Sequence, residues 1–367
     1  MTLTAIFGII VNLLLFVFFH FFRKNNKADL SLAWIFALIF ITFLFNYLEF
    51  NGLLIRYPFF IFLDMGVPYL LGPFIYFYTL DVTNHKTINF NTKILHFLPA
   101  IFVYVMLIDL VFAAPEVKIS LMQLGAQSAG LRFQIITILQ LLPVPVYLII
   151  SFNRISYFSD ELKNNFSNME QLELRFLRTT LISFFILWII TVITILGLNF
   201  NSYENVYIIV FQWGYLIFSL SIGLYGFQKH RLITKFDLLE PQATSAQKTS
   251  QNELLDAESI LKYMETEQPH LRMELQLHDL ARGLKIPSSH LSSLLNRDLK
   301  TNFFDFINKY RTETFCQKAL DGETNKFSIL AIAYDSGFSS KSAFYRAFKK
   351  AKGINPSLWI AQNCENQ

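Results

Sequence analysis

A chain of 367 residues in which 53% are hydrophobic, 40 are Phe and only 16% are charged lacks the composition of two or three water-soluble domains. A net charge of +4 identifies no partner by itself, so its distribution along the chain matters more. The two cysteines, Cys316 and Cys364, have no CxxC or zinc-ligand spacing and both lie in the polar C-terminal part, which suits a reducing cytosol, so they are assigned no redox or metal role.

The apolar excess fills residues 1 to about 226 and then stops. A helix crossing a bilayer needs about 20 mostly apolar residues. Seven stretches qualify: Thr2 to Phe22, Leu30 to Phe50, Tyr57 to Leu80, Ile94 to Ala114, Gly130 to Ile150, Thr179 to Leu198 and Asn205 to Phe227. The first has no leading Lys or Arg, is too long for a signal peptide and is followed by no A-x-A site, so it reads as a retained span. With the N-terminus outside and the C-terminus inside, the inner loops hold Arg23, Lys24, Lys27, Lys86, Lys93, Arg154, Lys163, Arg175, Arg178, Lys229, Arg231 and Lys235. The outer loops hold only Arg56, Lys118 and Arg132, as the retention of positive charge on the cytoplasmic side requires.

Ionisable groups at membrane depth are costly and point to function by default. Glu49, Asp64 and Asp109 fall toward the outer ends of their spans, near Arg56 and Arg132, and are candidates to line an outward-facing ligand pocket. Solvation of the same groups by water and headgroups is the plainer alternative. Pro68, Gly72 and Pro73 are expected to kink the third span.

Residues 1–230 thus read as a seven-span transmembrane domain, followed by a flexible cytoplasmic linker over 231–252. The run from Glu240 to Asn252, with Pro241 and several Ser, Thr and Gln, cannot bury a core. Residues 253–367 are polar enough for a soluble domain. Leu277, Leu280, Ala281 and Leu284 share one helical face, Gly283 to Pro287 break the helix, and a second helix starts at Ser288, a good N-cap residue, and buries Leu291, Leu294 and Leu295. That is a helix-turn-helix over about 277–299. The pattern recurs over about 328–350: Ile329, Ile332 and Ala333 on one helix, Gly337 in the turn, Phe338 as a plug, then Phe344, Ala347 and Phe348. Ala333 precedes Phe338 by five residues, just as Ala281 precedes Ile286. Between the motifs, Phe303 to Leu320 has the apolar spacing of a long connecting helix. The fold expected is therefore all-α, a seven-helix transmembrane bundle followed by a bilobed helical domain with two helix-turn-helix motifs.

From Ala281 to Lys352 there are thirteen basic and six acidic residues, an excess of seven that suits double-stranded DNA. The second helices present Ser289, His290, Ser292, Ser293, Asn296 and Arg297 in the first motif, and Ser340, Lys341, Ser342, Tyr345, Arg346, Lys349 and Lys350 in the second. Lys349 and Lys350 are candidates for phosphate. Arg346 and Asn296 are candidates for base edges, because Arg reads guanine and Asn reads adenine with two hydrogen bonds.

The segments LHDLARGLKIPSSHLSSLLNR, NFFDFINKYR and SILAIAYDSGFSSKSAFYRAFKKAKGINPSLW resemble the DNA-binding domain of the AraC/XylS family of bacterial transcription regulators. The resemblance covers about a hundred C-terminal residues. It implies a bilobed helical fold, direct-repeat promoter sites and regulation through RNA polymerase. LLGPFIYFY and HFLPA are similar to segments of members with a multi-span N-terminal domain. Phe315 stands where the family usually has a smaller aliphatic residue and Ala319 where it often has Leu, a large-for-small exchange that is expected to compensate. Tyr345 replaces a small polar residue, which alters the expected base preference of the second motif.

The combined expectation is a transcription regulator held at the bacterial cytoplasmic membrane in several passes, its DNA-binding domain in the cytoplasm and its lipid-embedded part sensing an unidentified signal. A transporter-like or purely anchoring membrane part is the alternative. No HExxH, GxSxG or P-loop motif is present, so no catalytic residue, metal or cofactor is assigned. A dimer is compatible with the sequence, although two motifs in one chain already reach adjacent groove segments.

Overall fold

Long apolar runs and 3.6-residue periodicity lead to a chain of helices. The computed structural model describes residues 2–23, 27–83, 90–128, 130–168, 174–196, 204–228 and 256–364. Among these there are helices and turns but no named strand, apart from an isolated antiparallel bridge between Phe166 and Gln276. The chain divides into two units. The first comprises Met1–Ser156 with Leu174–Ile233, and the second Tyr157–Glu173 with Thr234–Gln367.

The first unit contains α1 (Thr2–Val17, continued by a π-helical turn Phe18–Phe22), α2 (Lys27–Phe50), α3 (Val67–Val82), α4 (Leu98–Val111), α5 (Pro115–Ser128), α6 (Leu131–Gln140), α7 (Pro143–Asn165, whose end belongs to the second unit), α8 (Arg175–Leu196) and α9 (Glu204–Gln228). Four helical stretches among the described residues are long and apolar enough to cross a membrane: Thr2–Phe22, Lys27–Phe50, Leu131–Asn165 and Ile209–Phe227. Leu98–Val111 and Leu177–Ile189 are shorter apolar helices. The third expected stretch, Tyr57 to Leu80, is not one helix. Pro58–Phe60 forms a single 3-10 turn, Phe62 has φ 74°, and α3 starts only at Val67. Pro68 lies in the first turn of α3, where its missing N–H costs nothing, and Pro73 lies inside the helix. A Cβ on Gly72 would come within 2.7 Å of the Tyr147 ring, so this glycine lets α3 approach α7.

Phe19, Leu32, Phe36, Ile39, Phe43, Ile75, Tyr78 and Ile222 belong to one core of this unit, while Phe62, Tyr69, Val103, Leu107 and Phe133 belong to another. Arg23, a loop charge just after the first helical stretch, pairs with the buried Asp29 at 3.5 Å and donates to the Gly226 carbonyl at 2.9 Å. Lys24, Lys86, Lys229, Arg231, Lys235 and the expected linker over 231–252 lie outside the described residues.

The second unit contains α10 (Ala257–Glu267), α11 (Leu277–Gly283), α12 (Ser288–Arg297), α13 (Phe303–Leu320), α14 (Ile329–Asp335), α15 (Lys341–Lys352) and α16 (Pro356–Cys364). Polar side chains fix several helix starts. Asp256 accepts from the Ser259 N–H, Asn302 from Asp305, Ser328 from Ala331 and Ser340 from Ala343. Ser288 does not cap α12 as expected. It is the first helical residue, and Pro287, which has no side-chain acceptor, holds the cap position. Helix α13 serves both lobes. Phe303, Phe306 and Ile307 join Ile260, Met264, Leu280, Leu291, Leu294 and Leu295 in one core, while Phe315 and Ala319 join Ile332, Ala333, Phe338, Phe344 and Phe348 in another.

Candidate nucleic-acid interface

Each motif is closed by the same backbone bond. The Ile286 N–H donates to the Ala281 carbonyl at 3.0 Å, and the Phe338 N–H donates to the Ala333 carbonyl at 3.1 Å. Ala281 and Ala333 are buried, as their five-residue spacing from the plug residue suggests. Just before the plug, the backbone enters the left-handed region at Gly337 (φ 91°) in the second motif and at Lys285 (φ 57°) in the first. Gly283, read from sequence as part of the helix break, is still within α11, where a Cβ would meet the Tyr263 hydroxyl at 2.2 Å.

The second helix of each motif buries an apolar stripe and leaves the opposite face to solvent. In α12, Ser289, Ser293, Asn296 and Arg297 are exposed and His290 and Ser292 half-buried. On α15 and its cap, Lys341, Ser342, Arg346, Lys349 and Lys350 are exposed, and Ser340 and Tyr345 half-buried. Several of these residues have partners already. The Arg297 guanidinium pairs with Asp298 at 2.7 Å and holds that carboxyl below its usual range. Lys350 pairs with Asp305 of α13 at 2.7 Å, Lys341 lies over the Tyr345 ring, and Arg346 Nε donates to the Ser342 carbonyl. Asn296 Nδ2 donates weakly to Ser292 Oγ at 3.4 Å.

Arg311, one of the thirteen basic residues between Ala281 and Lys352, is 1% exposed and therefore unavailable to phosphate. Its Nε donates to the His270 carbonyl at 2.8 Å and its Nη2 to the Arg272 carbonyl at 2.7 Å. A Cβ on Gly337 would lie 2.3 Å from the same His270 oxygen and 3.1 Å from Arg311 Nε. The lead-in to the first motif, the connecting helix and the turn of the second motif therefore meet at one guanidinium. Burial lowers the Arg311 pKa to about 10, which leaves it charged at neutral pH. His270 bonds through Nε2 to Thr314 Oγ1 at 2.9 Å, and burial, with Arg311 nearby, lowers its pKa to about 4.

In the first unit, Asp109 forms a two-pronged pair with Arg132 at 2.7 and 2.8 Å, so its charge is already balanced. Asp64 lies in the turn before α3, and Glu49 is the penultimate residue of α2. A small cleft in this unit is lined by Pro68, Leu71, Trp188, Phe211 and Tyr215, among others, and by none of the three acids.

Comparison with known families agrees with this geometry. Residues 280–362 match a family described as a helix-turn-helix domain. The chain therefore carries an AraC-type helix-turn-helix domain, a DNA-binding module, at its C-terminal end. No curated protein matches. Among solved structures, a protein of unknown function from Listeria innocua is similar at 24% identity over 29% of this chain and 95% of its own, with a TM-score of 0.25.

Proposed function

We propose that the protein is a membrane-anchored, sequence-specific transcription regulator whose first unit spans the bacterial cytoplasmic membrane, N-terminus outside, and whose second unit reads promoter DNA from the cytoplasm. The observation that carries the DNA-reading half is the pair of identically closed motifs on one connecting helix, each with an exposed polar face on its second helix. Ser289, His290, Ser292, Ser293, Asn296 and Arg297 are the contacts of the first motif. Ser340, Lys341, Ser342, Tyr345, Arg346, Lys349 and Lys350 are those of the second.

Surface chemistry supports the membrane half. Leu3 (80% exposed), Phe22 (77%) and Phe112 (82%) face outward, whereas Asn12, Thr79, Ser151 and Ser219 are fully buried. Large apolar side chains outside and small polar ones within suit a lipid solvent. A signal sensed in the membrane then controls promoter occupancy, with RNA polymerase as the downstream partner.

The test is promoter binding by the full-length protein in lipid nanodiscs, against its own upstream region and genomic fragments. The expected result is specific binding whose affinity falls steeply as salt rises. Absence of binding at low salt would overturn the proposal.

A further inference from the structure

A buried guanidinium carries five N–H donors and no acceptor, so its environment must supply oxygens. The oxygens around Arg311 belong to carbonyls, a hydroxyl and an amide. Beyond the His270 and Arg272 carbonyls, Nη2 reaches the Met273 carbonyl at 3.3 Å and Nη1 reaches Asn308 Oδ1 at 3.4 Å. The remaining acceptors come from far upstream in the chain. Nη1 donates to the Ser167 carbonyl at 3.2 Å and Nη2 to Ser167 Oγ at 3.2 Å. Asn308 Nδ2 also donates to the Ser167 carbonyl, at 3.3 Å.

Ser167 is itself anchored. Its N–H and its hydroxyl both donate to the Leu275 carbonyl, at 3.3 and 2.6 Å, and its neighbour Phe166 forms the antiparallel bridge with Gln276. At 2% exposure this serine is part of the interior of the second unit. Gln276 caps α11, the first helix of the first motif. The same upstream segment contributes Asp160, Lys163 and Asn164 to a polar cleft of about 420 Å³, shared with Asn296, Lys300, Thr301, Asn302 and Asp305 at the end of the first recognition helix. Residues 157–167 thus pack with the DNA-binding domain, yet in sequence the segment lies between two stretches of the apolar unit, which runs up to Ser156 and again from Leu174.

We infer that residues 157–167 form a strap that docks on the first helix-turn-helix through Ser167, and that the docked strap is the DNA-binding-competent state. Without Ser167 the guanidinium loses two of its acceptors, and the 270–276 lead-in that it holds loosens. The first motif then loses its fixed position against α13, while the second recognition helix, packed through Phe344 and Phe348 on the other half of that helix, keeps its own, only the turn at Gly337 touching the loosened junction. A displacement of the apolar unit at Ser156 reaches the first motif through this segment by covalent continuity. The inference rests on the DNA-reading function proposed above and adds the place where control is exerted.

The test uses the full-length protein in nanodiscs with three variants: Ser167→Ala, which removes only the hydroxyl; Ser167→Pro, which removes both the hydroxyl and the N–H donor; and Ser167→Thr, which keeps both. Hydrogen exchange without DNA should show faster exchange over 271–284 in the Ala and Pro variants, unchanged exchange over 341–352, and wild-type behaviour in the Thr variant. DNA affinity should fall about tenfold or more for Ser167→Ala, because the hydroxyl both accepts from the Arg311 guanidinium and donates to the Leu275 carbonyl. It should fall further for Ser167→Pro, with the lost footprint confined to the first motif's half. Unchanged exchange over 271–284 in both variants, or DNA affinity equal to or tighter than wild type, would overturn the inference. If the wild type binds no DNA, the functional proposal and the competence of the docked state fail together, and the exchange data still decide whether the strap docks.

Discussion

The two helix-turn-helix motifs share one backbone solution but reach it with different side chains. The second uses glycine for its left-handed turn residue and builds its core from Phe315, Phe338, Phe344 and Phe348. The first uses Lys285 at the equivalent place and packs Leu280, Leu291, Leu294 and Leu295 instead. A glycine adopts that conformation without steric cost, whereas a lysine needs surrounding structure to hold it. The second turn thus carries its conformation in its own residue, whereas the first needs surrounding structure to hold Lys285, although both motifs meet the Arg311 junction, the first through its lead-in and the second through Gly337.

The largest effect that would break this contrast comes from Gly337→Ala. A Cβ there would meet the His270 carbonyl oxygen at 2.3 Å, the Leu271 Cα at 2.9 Å and Arg311 Nε at 3.1 Å, at φ 91°. Two of these atoms are backbone and cannot swing aside. The substitution should destabilise the second unit by about 3 kcal/mol or more and abolish specific DNA binding. Lys285→Ala, at the matching turn, should leave stability within about 1 kcal/mol of wild type. Denaturant unfolding followed by hydrogen exchange over 256–364 compares the two directly.

Next in size is a pH effect at the junction between the motifs. His270 is buried and neutral, with its pKa lowered to about 4 from an ordinary 6.5. The unfolded chain therefore binds a proton that the folded one refuses, and stability falls as pH drops from about 6.5 toward 4, levelling off below. The full loss is roughly 3 kcal/mol. His270→Gln, which cannot titrate, should flatten this part of the pH profile. An unchanged slope in that variant would show that other groups carry it.

At the exposed faces the contrast concerns DNA. Lys349→Ala should weaken binding to all sequences alike and lower the salt slope by about one, whereas Arg346→Ala should relax preference at a single base position. Lys350→Ala should have the smaller effect of the two lysine changes, because Lys350 is already paired with Asp305. Binding titrations over a range of salt, with a randomised site, separate these outcomes.

Much of the second unit was legible in the sequence because its information is periodic and local. Helix α13 spans the same residues as the apolar pattern from Phe303 to Leu320, and the Ala-to-plug spacing marks both turns. Phe315 and Ala319 are buried in one core, where the Phe315 ring lies 4.6 Å from that of Phe344 in a tilted pair. Helix α10 was missed although Asp256, Ile260 and Met264 offered a cap and an i,i+4 pair. The burial of Arg311 was not legible, since its partners include Ser167, 144 residues upstream, and periodicity carries no information over that distance. In the first unit, hydropathy found the apolar stretches but not the break between Pro58 and Gly66, where proline and a left-handed Phe62 outweigh a favourable apolar average.

The smallest expected effect sharpens the comparison that separates the motifs. Lys285→Gly gives the first turn the residue that the second already has. Relief of the left-handed conformation at Lys285 favours the folded state by roughly 1 to 2 kcal/mol, while the greater freedom of glycine in the unfolded chain offsets part of that gain. The net result should be a stabilisation of about 0.5 to 1 kcal/mol. The variant also loses a positive charge beside the first motif, so DNA affinity should fall slightly as stability rises. Opposite movements of the two quantities, read from unfolding midpoints and binding titrations on the same samples, would distinguish a backbone effect at the turn from general damage to the motif. A destabilised variant would mean that the lysine side chain contributes more to the fold than its backbone conformation costs.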